Sequence, residues 1–182
     1  MKTLKTAVLV SLVLILSVGF LSFVVNTDWE VEHRMEVDAS PETIWRLLTD
    51  FDSYPSWNRY SRNITGEFGL GERIVVEANL GGRTQLVENH IVSIKPAAEL
   101  CWQSADWFAA LSRGLRCRWL VEQDSGKTLL IHHEIMSGPL AWLIKLLFFE
   151  KIQNGLRTVN ESVAAEAVNI TRKTEAVGKA AP

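Results

Sequence analysis

The feature that most restricts what this chain can fold into is the stretch from Pro139 to Ala167. In it Leu140, Leu143, Ile144, Leu147, Phe148, Ile152, Leu156, Val159 and Val163 recur at three- and four-residue steps. That spacing places them on one apolar stripe of a 3.6-period helix. Gly138 breaks the strand pattern before it, and Pro139 suits a first helical turn, whose N–H groups have no intrahelical partner. A stripe this long needs a broad apolar surface to cover, and the upstream residues supply one.

Trp29, Val31, His33, Met35 and Val37 alternate with charged residues between Asp28 and Asp38, the pattern of a half-buried strand. Ser40 can cap a short helix that starts at Pro41 and buries Ile44, Leu47, Leu48 and Phe51. A Pro-containing aromatic segment, Asp52 to Tyr60, forms a turn or second short helix. From Ser61 to Ser137 the pattern is strand and turn. Gly81-Gly82 reads as the turn of a hairpin between Arg73–Leu80 and Arg83–Lys95, which sets Val76 opposite Val87 and puts Asn89 on the same side as Ile74 and Ile91. Another hairpin, Ala98–Ser104 with Leu115–Gln123, is joined through Asp106-Trp107-Phe108. A strand, two short helices, antiparallel hairpins and one closing helix make an α+β domain with its helices on one face of the sheet. Thr171 to Pro182 is small and polar, a flexible tail over 171–182.

From Thr6 to Val25 no residue is charged, a run about as long as the ~20 residues that cross a bilayer. Residues 1–27 therefore read as a transmembrane anchor or uncleaved signal. A cleaved secretory signal is the rival, with Ser17-Val18-Gly19 as a poor exit site. Lys2 and Lys5 lie before the run and Asp28, Glu30 and Glu32 after it. That asymmetry predicts a single-pass membrane protein with a cytoplasmic N-terminus and the domain outside the cytoplasm. The net charge of −2 argues against nucleic acid as a partner. Cys101 alternates with Leu100 and Trp102, while Cys117 is in step with Leu115, Trp119 and Val121. The two thiols thus read as facing opposite sides, unpaired. No Cys/His cluster has metal-ligand spacing, and neither metal nor cofactor is expected.

The order of elements and several short motifs resemble the START/polyketide-cyclase (SRPBCC) superfamily. The carriers are Ala39-Ser40-Pro41-Glu42-Thr43-Ile44-Trp45, then Phe51-Asp52-Ser53-Tyr54-Pro55-Ser56-Trp57-Asn58, Leu100 with Trp102, Thr128-x-Leu130-x-His132-x-Glu134 leading to Ser137-Gly138, and Asn160 with Glu161. Arg59 departs from the family's common proline and Met136 from its usual aromatic. The resemblance implies the helix-grip fold over 28–170, an antiparallel sheet wrapped around the last helix with a cavity between them for an apolar or amphipathic ligand. It implies no reaction by itself.

Trp45, Phe51, Tyr54, Trp57, Trp102 and Trp119 are the aromatic residues expected around such a cavity, or else in the core, with Leu147 and Leu156 on the helix stripe. Asn58, Asn89 and Asn160 could orient a ligand's polar end, or could cap turns. His132 and Glu134, two apart on one strand, project from one face and could move protons at an enolisable carbonyl. The rival reading turns that face to solvent, with Leu129, Ile131 and Ile135 inward. His33 could join the pair if the first and last strands are neighbours, as the resemblance implies. The leading expectation is a membrane-anchored, non-catalytic binder or carrier of a hydrophobic, lipid-like small molecule. A cyclase or dehydratase using His132 and Glu134, or a module that binds no ligand, is the alternative. No protein partner can be named. Trp142, Leu146 and Phe149 lie off the stripe, so this end of the helix is expected to meet a bilayer or partner near the cavity mouth.

Overall fold

The computed structural model describes residues 2–24, 27–80 and 82–180. After an N-terminal helix α1 (Lys2–Val24) come β1 (Trp29–Val37), α2 (Pro41–Thr49) and α3 (Tyr54–Trp57). The strands β2 (Ser61–Gly66), β3 (Arg73–Leu80), β4 (Arg83–Lys95), β5 (Glu99–Ser104), β6 (Arg113–Glu122) and β7 (Thr128–Ser137) follow, and α4 (Ala141–Ala180) ends the chain. The strands form one sheet in the order β1-β7-β6-β5-β4-β3-β2, every pairing antiparallel. First and last strands are neighbours, which sets His33 opposite His132. α4 packs on β1, β7 and β3 across the inner face, and this is the helix-grip arrangement.

Local chemistry explains the frame. The Ser40 side chain accepts from Thr43 N and starts α2, while Ile44, Leu47 and Leu48 point into the core. The β3–β4 hairpin pairs Val76 with Val87 and Ile74 with Asn89. On α4, Ile152, Leu156, Val159 and Val163 are buried along the stripe. Trp29 pins the start of this helix, its Nε1 donating to Ala141 O at 2.8 Å and its ring edge-on to Phe149 at 5.5 Å.

Several expectations need correction. Among the described residues no helix is long and apolar enough to cross a membrane, so the single-pass membrane placement with the domain outside the cytoplasm is not supported. Residues 25 and 26, at the end of the expected span, lie outside the described residues. Over 171–180 the expected tail is helical, since α4 runs on to Ala180, and residues 181 and 182 lie outside the described residues. Residues 171–180 include Lys, Glu and Ala, and no proline stops the helix within them.

Cys101 and Cys117 stand directly opposite on β5 and β6 and form a disulfide. The unpaired reading failed because the inner row of β6 is Gly114, Arg116, Arg118 and Leu120. Leu115, Cys117, Trp119 and Val121 lie on the outer face, where Cys101 also lies.

Candidate functional site

Between the inner face of β3–β7 and the first half of α4 lies a cavity of about 300 Å³. Its volume sits at the lower end of the ~300–1,000 Å³ range of small-molecule pockets. Val76, Ala78, Leu80, Val87, Trp102 and Met136 line it from the sheet, and Ile144, Phe148 and Ile152 from α4. The stripe that closes the core thus begins by roofing a hollow. Polar side chains also enter the wall from the sheet and its loops, among them Tyr60, Asn89, Asp106, Arg116 and Glu134. Two glycines make the approach possible. A Cβ on Gly114 would meet Met136 Sδ at 3.1 Å and Glu134 Oε1 at 3.3 Å, and a Cβ on Gly155 would enter the Tyr60 ring.

The ionic feature of the wall is Arg116 with Glu134, opposite each other on β6 and β7. Arg116 Nε donates to Glu134 Oε2 at 2.9 Å and Nη2 makes a second bond to the same oxygen, with the two side chains 12% and 9% exposed. The Arg116 guanidinium also lies 5.6 Å over the Tyr60 ring.

One row deeper, Arg118 faces His132 across the same two strands. His132 is fully buried. Burial first, then the Arg118 and Arg116 charges, hold its imidazole well below the usual histidine range, against a smaller opposing effect of Asn160 and the Leu156 backbone. The His132–Glu134 face is therefore the inner one. Only Glu134 reaches the cavity wall, whereas His132 lies beneath it. His33 joins the group through Asn160, whose Nδ2 lies 3.0 Å from His33 Nδ1 and donates to His33 O at 3.0 Å.

The other expected residues divide. Asn89 and Trp102 line the cavity. Leu156 is buried below it beside Asn160. Phe51, Tyr54 and Trp57 belong to the core at the α2–α3 end, with Trp45 packed against them and edge-on to Phe68. Tyr54 donates its hydroxyl to Leu48 O, and Asn58 Oδ1 caps Tyr60 N and Ser61 N. Trp119 is on the opposite face of the sheet, stacked on His133 and donating to Glu99 Oε2 at 2.9 Å, so it does not line the cavity. Leu147 is 54% exposed and turns away from it, one residue before Phe148, which turns in. Tyr60 and Arg116 went unnamed in the sequence. The one signal for Arg116 was its alternation with Gly114 and Arg118 on a strand whose other row is apolar. A wider groove of about 750 Å³ between α3 and α4, lined by Arg59, Arg62, Asn79 and Glu166 among others, is a polar surface feature.

Residues 28–147 match the model of a family described as polyketide cyclase / dehydrase and lipid transport. No curated protein matches the chain. Among solved structures, a norcoclaurine synthase from Thalictrum flavum in complex with dopamine and hydroxybenzaldehyde is 10% identical, with 82% of this chain and 91% of that chain covered and a TM-score of 0.65. A Streptomyces aromatase/cyclase is 15% identical over 77% and 93% of the two chains, with a TM-score of 0.63. A Panax ginseng major latex-like protein is 10% identical over 77% and 97%, with a TM-score of 0.60. At these identities the likeness is one of fold.

Proposed function

The chain belongs to the polyketide cyclase / dehydrase and lipid-transport family, and from that premise we propose that it binds or carries a hydrophobic or amphipathic, lipid-like small molecule in the cavity beneath α4. The observation that carries this reading is the wall itself. It is apolar on the helix side, at Ile144, Phe148 and Ile152, and on the sheet side Val76, Val87, Trp102 and Met136 stand beside polar groups that include Arg116 and Glu134. Such a wall orients one end of a ligand and shelters the rest.

The geometry favours binding over catalysis by the pair considered above. General acid–base work needs a group within hydrogen-bond reach of the substrate, and His132 is buried behind the wall. Glu134, the member on the wall, is engaged by Arg116 through two bonds to one oxygen.

Organic extraction of the purified full chain, followed by mass spectrometry, tests the proposal. A small set of apolar or amphipathic molecules should be recovered in near-stoichiometric amount. They should disappear from a variant in which Ala78→Trp fills the cavity while the circular dichroism spectrum is kept. Recovery of the same molecules from that variant, or an empty cavity that also rejects fluorescent lipid probes, would overturn it.

A further inference from the structure

The interior of this domain carries an unbalanced positive charge. Four ionisable side chains meet on the inner face of β6 and β7: Arg116, Arg118, Glu134 and His132, the last kept neutral chiefly by its burial. Glu134 is taken by Arg116. Arg118 is 1% exposed, and none of its Nε, Nη1 and Nη2 atoms has a hydrogen-bond partner among the described residues. Tyr54 faces it, but that hydroxyl donates to Leu48 O, and burial pushes its pKa up to about 12, so it supplies no negative charge. What Arg118 does touch is the indole of Trp102, 4.1 Å from guanidinium carbon to ring centroid. A buried cation is ordinarily paired, and an aromatic face replaces only part of the hydration that a guanidinium gives up. Burial lowers the Arg118 pKa to about 10, which still leaves it charged at neutral pH.

Trp102 is also a wall of the cavity. One indole therefore separates a ligand-sized hollow from an unpaired guanidinium. We propose that Arg118 is an anion-recognition residue, and that the cavity takes an amphipathic molecule whose carboxylate, or a group of equivalent charge, is directed past Trp102 toward it. The apolar remainder then lies among Val87, Ile144 and Phe148. This rests on the ligand-binding reading above and narrows it to anionic amphiphiles. Arginine suits the task, since its planar fork matches a carboxylate with two parallel N–H donors.

The test compares decanoate with decanol, equal in chain length and different in charge, titrated calorimetrically at pH 7.5 into the full chain below the concentration at which either aggregates. Decanoate should bind at least ten times more tightly, and Arg118→Met should reduce that preference to about threefold or less. Lys151→Met, which removes an exposed cation above Phe148, should leave the preference intact. In the unsubstituted protein, decanoate but not decanol should shift the Arg118 Nε–H resonance, a readout that does not depend on the variant's folding. Equal binding of the two probes would overturn the anion site and leave the apolar-ligand reading standing, as would a preference that follows Lys151 instead of Arg118. Binding of neither probe would remove both.

Discussion

Arg116 and Glu134 face each other across β6 and β7, with Arg116 Nε 2.9 Å from Glu134 Oε2. Removing one partner of a buried pair leaves the other charge uncompensated, which costs about 3–5 kcal/mol, whereas replacing both by apolar groups is often close to neutral. Glu134→Gln should therefore lower unfolding free energy by about 3 kcal/mol, and Glu134→Leu combined with Arg116→Met by much less. Urea denaturation of the two variants decides it. Equal losses would mean that the pair's worth is packing and not charge.

Gly155 is in the interior of α4, where alanine would ordinarily be favoured by about 1 kcal/mol. Here a Cβ would lie 2.9 Å from Tyr60 Cδ2 and closer still to Cε2 and Cζ. Overpacking of this kind costs about 1–3 kcal/mol and outweighs the propensity gain. Gly155→Ala should lower the thermal midpoint and, by displacing Tyr60, weaken ligand uptake. A raised midpoint would mean that the ring moves aside freely.

His132 makes stability depend on pH. Its folded-state pKa is pushed well below the ordinary value, chiefly by burial, so the native chain keeps it neutral while the unfolded chain takes up a proton near pH 6.5. The unfolded state then binds more protons, and stability present above about pH 6.5 falls as the pH drops below it, by up to about 1.4 kcal/mol per pH unit. Unfolding free energies measured at pH 7.5 and 5.0 should differ by roughly 2 kcal/mol more in the unsubstituted protein than in His132→Asn. Parallel pH profiles would show that the imidazole titrates in the folded chain as freely as in the unfolded one.

The Cys101–Cys117 disulfide joins residues 16 apart in sequence. Loop closure of about that length is worth ~3 kcal/mol in the chain-entropy picture. Dithiothreitol should lower the urea midpoint of the native chain, and the double replacement Cys101→Ala with Cys117→Ala should show the lower midpoint with or without reductant. A native chain indifferent to reductant would dispose of the crosslink's role in stability.

How far these features were legible in the sequence follows from where polarity and burial coincide. The β3–β4 register followed from a glycine turn, and α4 from a period that Ile152, Leu156, Val159 and Val163 obey. Both are local rules. β6 is where the rule misled: Arg116 and Arg118 face inward and the Leu115–Cys117–Trp119–Val121 row outward, so alternation pointed Trp119 and one cysteine the wrong way. The cavity has the same cause. Trp45, Phe51, Tyr54 and Trp57 are as aromatic as Trp102, and only the order of strands decides that Trp102 borders a hollow while the others fill a core. Nothing in the spacing of Leu147 and Phe148 says which faces the ligand, because the stripe passes between them.

The turn before α4 is fastened by three consecutive residues that lead into β1. Thr27 Oγ1 donates to Gly138 O, Asp28 Oδ1 accepts from Gly138 N, and Trp29 Nε1 donates to Ala141 O. These are the residues through which α1 joins the domain. The start of the cavity's roof and the start of the sheet's edge strand thus share one fastening.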